Sequence, residues 1–244
     1  MSFSASEDGT YFATVAESYD RLQPVLSPPY SKGLDMLVDL IPFDPEDMFA
    51  FAELGCGTAE PTLHVLEHFP HATGTCVDSE FEMLALARRK LRSHPGRAEL
   101  VEGDMVRCDI RACDVIFSAK AIHHVPPPVL PELFARIMSK LRPKGCFILF
   151  DAMSVGPDWG ERIRRQAARS RGRHRQRAIA SGIATQQEIQ ARREYKRKMK
   201  EAGKDVEYDH TAEDVVSILA DAGFDEVAVV WRMYADTILM AFKE

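Results

Sequence analysis

Two rhythms alternate along the chain. Short, mostly apolar runs of strand length occur at Phe49–Ala52, Gly74–Asp78, Ala98–Val101, Cys113–Ser118 and Cys146–Phe150. Such runs, with little polar alternation, mark parallel strands covered on both faces. Between them, apolar residues recur at helical spacing. Leu34, Leu37, Val38 and Ile41 share one face of a helix over Ser31–Ile41, which Pro42 and Pro45 end. Leu63, Leu66 and Phe69 predict a short helix that stops at Pro70, and a further helix follows the second strand. Thr211–Gly223 reads as a helix with Gly223 as its left-handed cap. Val227–Trp231 and Thr237–Phe242 then predict a closing hairpin. Near the N-terminus Phe12, Val15, Ala16 and Tyr19 recur at helical spacing before Pro24, Pro28 and Pro29 break the segment.

The stretch Phe49–Thr62, FAFAELGCGTAEPT, organises the rest. A strand-forming run leads to Glu53, then to Gly55-Cys56-Gly57, then to a helix start with Pro61 in its first turn. Glycines let the chain turn sharply and let a ligand lie against bare backbone. Strand, glycine turn and helix form the nucleotide-binding arrangement of open α/β sheets. The third glycine of the dinucleotide fingerprint is missing and no phosphate-gripping lysine follows, so neither a dinucleotide site nor a P-loop fits.

The acid-x-Gly-x-Gly pattern of Glu53, Gly55 and Gly57 resembles the first motif of the class I, Rossmann-like S-adenosylmethionine-dependent methyltransferases. The later landmarks follow in the family's order. Asp78 stands at the carboxyl end of the second strand, and the resemblance implies that it accepts hydrogen bonds from both ribose hydroxyls. A helix N-cap is the alternative reading. Ser79 and Met83 lie in the segment that the family sets near the ribose and adenine. Gly103-Asp104-Met105 resembles the adenine site, with Asp104 accepting from the exocyclic amine and Met105 packing on the ring. Ser118, Ala119 and Lys120 end the fourth strand and should face the sulfonium, and Cys56 belongs to the glycine loop. His123 and His124 follow, as candidate bases or as capping and packing residues. Leu-x-Pro-x-Gly at 141–145 matches the family's turn before the fifth strand. Tyr19-Asp20 resembles an N-terminal lid helix over the cofactor, against the alternative of a helix packed on the sheet edge.

The resemblance implies an α/β Rossmann-like fold with a mostly parallel seven-stranded sheet, an antiparallel C-terminal edge, and a helical lid and cap. The expected division is a lid over 1–44, a cofactor-binding core over 45–155, a basic cap insert over 156–204, and a C-terminal helix and hairpin over 205–244. S-adenosyl-L-methionine is the implied cofactor, with in-line methyl transfer to a small anionic metabolite as the implied reaction.

Charge changes this picture in one place. The chain carries a net −6, yet Glu161–Lys204 holds 15 Lys/Arg against 4 Glu. The insert is thus +11 and the remainder −17, an asymmetry that marks a surface or site for anions unless it is a solvated helical face. Within it, GIATQQEIQARREYKRKM resembles the carboxy-S-adenosylmethionine synthase branch of wobble-uridine tRNA modification. That resemblance gives Arg193 the role of carboxylate binder, whereas the glycine loop ELGCGTAEPT is that of an ordinary methyltransferase. A cofactor-modifying synthase and a nucleic-acid-binding modification protein therefore stay open beside the methyltransferase, as does a homodimer.

Five cysteines, at 56, 76, 108, 113 and 146, contain no C-x-x-C pair. Neither a disulfide framework nor a zinc site is expected, and no metal ligand is assigned. The polar N-terminus MSFSASEDGT is unlike a signal peptide and no apolar run reaches membrane-spanning length, so no membrane partner is expected and the cytoplasm is the default compartment.

Overall fold

The computed structural model describes residues 18–154, 161–203 and 206–244. They form two compact units, a sheet unit from 31–154 with 207–244 and a helical unit from 18–30 with 161–203 and 206. The expected lid residues Phe12, Val15 and Ala16, and Trp159 of the insert, lie outside the described residues.

The sheet unit contains β1 (Ala50–Leu54), β2 (Thr73–Asp78), β3 (Ala98–Glu102), β4 (Cys113–Ala119), β5 (Leu141–Ala152), β6 (Glu226–Met233) and β7 (Asp236–Phe242). Their order across the sheet is β3-β2-β1-β4-β5-β7-β6. The first five are parallel, and β7 runs antiparallel to both β5 and β6. The chain starts in the middle, winds out to β3, then returns to β4 on the other side of β1. The strand order therefore reverses between β1 and β4, where open α/β sheets hold their ligands.

The central strands read as apolar because both faces are covered. Phe51, Phe117, Phe147 and Phe150 are fully buried, and burial of each such side chain contributes about 1.5–3 kcal/mol. Helix α2 (Tyr30–Asp39) lays Leu34, Leu37 and Val38 into this core. It approaches so closely that a Cβ on Gly33 would stand 2.2 Å from the Phe150 ring. Helices α3 (Glu60–His68) and α4 (Phe81–Lys90) follow β1 and β2. The buried face of α3 is Thr62, Val65 and Leu66 rather than the expected Leu63, because the helix starts at Glu60 and turns Thr62 toward β1. Helices α5 (Leu130–Lys140) and α8 (Ala212–Asp221) share one cluster through Leu133, Phe134, Val215 and Leu219. Thr211 caps α8 by accepting from the Asp214 amide, and Gly223, at φ 98°, ends it as expected.

The Leu-x-Pro-x-Gly turn takes a different form. Leu141 already pairs with Cys113, so β5 absorbs the motif, with a register shift before Val115 pairs with Cys146. Lys144 takes φ 66° there. A Cβ on Gly145 would meet the carbonyl oxygens of Asp114 at 2.8 Å and Arg142 at 2.9 Å.

The helical unit comprises α1 (18–26), α6 (Glu161–Ala180) and α7 (Gln186–Glu201). Its small apolar cluster joins Leu22, Val25, Ala178, Ala184 and Ile189. Thr185 and Glu188 form a reciprocal capping box at the start of α7. Arg21 pairs with Glu188 and donates to the Ile183 carbonyl at 2.6 Å.

Candidate functional site

The glycine turn leaves β1 with Gly55 at φ 71° and Gly57 at φ 53°. The amides of Gly55 and Cys56 both donate to the Val77 carbonyl, at 2.8 and 2.9 Å, which ties the turn to β2. Gly55 has no room for a side chain, since a Cβ there would lie 2.3 Å from the Ala121 Cβ and 2.9 Å from the Met105 Cε. Gly57 is the opposite case, with open space where a Cβ would stand.

Glu53 is fully buried at the end of β1. Thr62 donates a hydrogen bond to its Oε2, while Oε1 has no hydrogen-bond partner. Burial pushes its carboxyl well above the usual carboxylate range, and the neighbouring Cys76 adds to that. Asp78 accepts from the Gly57 amide at 2.6 Å through Oδ2 and from the Glu80 amide at 2.9 Å through Oδ1. It therefore joins the glycine loop to the entry of α4, and each oxygen keeps a further lone pair. Burial raises its carboxyl as well, against the backbone hydrogen bonds that lower it.

The third and fourth strand ends carry the next residues. Asp104 is exposed and its Oδ1 accepts from the Val106 amide at 2.8 Å, while Met105 packs partly against the core and reaches Gly55. Ser79 is exposed and Met83 half-buried on α4. Ser118 is fully buried and donates to the Leu54 carbonyl at 2.7 Å, which holds β4 to the end of β1.

Beyond β4 lies a polar cluster that the sequence names only in part. Lys120 takes φ 59° and donates its amide to the Phe150 carbonyl at 2.8 Å. Its ammonium pairs with Asp236 and stands 4.4 Å from the centre of the Phe150 ring. Burial brings the amine down to about 8, with Asp151 opposing. The His123 Nδ1 lies 2.6 Å from the Asp151 Oδ1, and the His123 amide donates to Oδ2 at 3.0 Å. Glu207 faces the other side of the ring, with its Oε1 3.7 Å from Nε2. Burial opposes charge on both His123 and Asp151, but their mutual attraction wins. The imidazole sits above, and the carboxyl below, its ordinary value. His124 is exposed, its ring centroid 4.1 Å from that of His123.

The structure thus brings Glu53, Gly55, Gly57, Asp78, Met105, Lys120, His123 and His124 to one end of the sheet. Tyr19 and Arg193 belong to the helical unit. There the Arg192 guanidinium, rather than that of Arg193, lies over the Tyr19 ring, at 4.4 Å, and Arg193 is exposed. Sequence reasoning missed Asp151, Asp236 and Glu207. Asp151 had a signal, being an acid at the carboxyl end of an apolar strand like Glu53 and Asp78. Asp236 and Glu207 had none, since antiparallel pairing and a returning loop bring them in. Among the described residues no group of three or more His, Cys, Asp or Glu is arranged to hold a metal ion, and no helix is long and apolar enough to cross a membrane.

Residues 51–145 match the family described as methyltransferase domain. The chain is 32% identical over 114 residues to malonyl-[acyl-carrier protein] O-methyltransferase of Halalkalibacterium halodurans, covering 45% of this chain and 40% of that one. It is 34% identical over 112 residues to trans-aconitate 2-methyltransferase of Deinococcus radiodurans, covering 44% and 40%. It is 26% identical over 137 residues to carboxy-S-adenosyl-L-methionine synthase of Campylobacter lari, covering 56% and 58%. The matches span less than two thirds of each relative. In fold the chain is similar to the pyocyanin biosynthetic protein PhzM, with TM-score 0.61 at 18% identity over 87% of this chain and 54% of that one. Residues 51–145 are thus similar in sequence to a methyltransferase domain, and the chain shares the Rossmann-like α/β fold of PhzM.

Proposed function

We propose that this protein binds S-adenosyl-L-methionine at the carboxyl ends of β1 to β4 and transfers its methyl group to a small anionic metabolite. The observation that carries the reading is Glu53 Oε1, a carboxyl oxygen buried without a partner beside a glycine turn. An unpaired buried acceptor costs roughly 1–3 kcal/mol. A cationic ligand group donating to that oxygen removes the cost, and the ammonium of the cofactor's methionine part is such a group. The open space at Gly57 and the spare lone pairs of Asp78 fit the same ligand.

The cofactor supplies a methyl group already activated by a sulfonium charge. The chain's own residues then have to position the acceptor and exclude water. The hydrogen bond from Nδ1 to Asp151 leaves Nε2 of neutral His123 as an acceptor for a proton from the incoming nucleophile. Lys120 gives that end of the sheet a positive group, already held by Asp236. The names of the H. halodurans and D. radiodurans relatives, which act on malonyl and aconitate groups, support a carboxylate-bearing acceptor.

Titration calorimetry in buffers of different ionisation enthalpy tests the binding half. Glu53 starts with a raised pKa, so a cation beside it should expel a proton. Binding without proton release would remove Glu53 from the site. Formation of S-adenosylhomocysteine with a panel of dicarboxylic and tricarboxylic acids tests the acceptor. The match to the C. lari synthase supports a second reading, in which the cofactor itself gains a carboxylate. Mass spectrometry of the cofactor after turnover separates the two.

A further inference from the structure

Helix α6 carries Arg162, Arg165, Arg169, Arg173 and Arg177 at intervals of three or four residues. At about 100° per residue these five fall on one face, within about a third of the circumference. All five are exposed, and so are Gln166, Gln176 and Ala180, which share the face. The opposite side holds the buried Ala167 and Ala178 together with Arg164, Arg171 and Arg175, and His174 lies 3.1 Å from the Pro24 carbonyl. The outward face therefore consists of guanidinium groups and amides along about 22 Å of helix.

Four like-charged pairs at spacing four, Arg165–Arg169, Arg169–Arg173, Arg173–Arg177 and Arg171–Arg175, work against the helix. Glu161, paired with Arg165, is the acid that α6 contributes. Helix α7 is built differently. It mixes Lys with Arg and bears Glu188, Glu194 and Glu201, with Arg197 paired to Glu201 at 2.9 Å. The face of α6 that bears the five exposed arginines carries no acid of its own beyond the Glu161 partner of Arg165, so its charge complements a polyanion.

We propose that this face of α6 docks on the phosphodiester backbone of a double-helical nucleic acid. The chemistry of the face argues against the other polyanions. Protein interfaces need aromatic or aliphatic anchors at their centre, and this face has none. A membrane surface needs an apolar side free to insert, and the apolar side of α6 is buried. Single strands need aromatic platforms for their bases, which are also missing. A duplex backbone needs only evenly spread positive groups that meet phosphate oxygens, and Arg does this with two parallel hydrogen bonds. The inference is independent of the methyl-transfer reading.

The test is fluorescence anisotropy of the full chain with a labelled 20-base-pair duplex DNA at several salt concentrations. Five phosphates neutralised on a duplex give a slope of log affinity on log salt of about −4.5, or an affinity loss of about 500-fold between 50 and 200 mM salt. The double variant Arg169→Gln/Arg173→Gln should flatten the slope by about 2. Arg88→Gln/Arg89→Gln removes the same charge from exposed positions on α4 and should leave the slope unchanged. Circular dichroism verifies that α6 stays helical in the variants. Failure to bind at 50 mM salt overturns the proposal. Equal flattening by both double variants overturns it too, because net charge alone would then explain the binding. Displacement of the duplex by poly-glutamate at equal charge would assign the face to an acidic protein instead.

Discussion

The two units use charge in opposite ways. At the end of the sheet the central charges are few, largely buried and held by opposite charges, as with His123–Asp151 and Lys120–Asp236. On the helical unit they are many, exposed and mostly of one sign. A buried pair is expensive to desolvate, so each partner depends on the other and loss of one strands the other in low dielectric. An exposed charge keeps its water, so single losses are cheap and only the sum matters. The first arrangement suits a site that must hold one geometry, and the second suits a surface that meets an extended partner.

Breaking a buried pair is the sharpest test of this contrast. Asp151→Ala leaves His123 without its carboxylate and should destabilise the fold by about 3–5 kcal/mol in denaturant titration. Gly145→Ala should cost about 1–3 kcal/mol through overpacking against the two carbonyls that a Cβ would meet. Asp78→Ala acts on binding. If the proposed ribose contacts exist, it removes hydrogen bonds worth roughly 1.5–3 kcal/mol each, and calorimetry should show at least a tenfold loss of S-adenosylmethionine affinity. Unchanged affinity would end the ribose assignment. At the other end, Arg197→Ala removes an exposed pair of spacing four and should shift stability by no more than about 0.5 kcal/mol.

The pH dependence sharpens the same comparison. The Asp151 pKa is lowered in the fold, so its contribution is present above the unfolded value and fades as pH falls through the folded one. The His123 pKa is raised, so its contribution is complete below the unfolded value and fades as pH rises through the folded one. The pair therefore stabilises most between those two limits. Glu53 acts in the opposite sense to Asp151. Its raised pKa makes the free fold lose stability as pH climbs from the unfolded carboxylate value toward the folded one. An unfolding series from pH 4 to 9 should show a mid-range maximum for the native chain, and Asp151→Asn should lose it.

Much of the sheet was legible because its signals are local. The runs at Phe49–Ala52 and Cys113–Ser118, the glycine turn after Glu53 and the cap at Gly223 depend on near neighbours, and they predicted elements that the structure contains. The site was legible where a residue ends a parallel strand, as Glu53, Asp78 and Lys120 do, since that position alone directs it toward the crevice. The same regularity points to Asp151, which directly follows the apolar run Cys146–Phe150.

Other features needed the assembled chain. Asp236 meets Lys120 only because β7 runs back against β5, so that the start of one strand lies beside the end of the other. Ser118 turns inward onto Leu54 because β4 packs directly beside β1. The orphaned Glu53 oxygen exists only because α3 turns Thr62, with its single hydroxyl proton, onto one side of that carboxylate. Sequence determined which segments are strands and helices, because periodicity and turn chemistry act over a few residues. Tertiary structure decided which charges are paired, buried or left with a free valence, because those depend on neighbours distant in the chain.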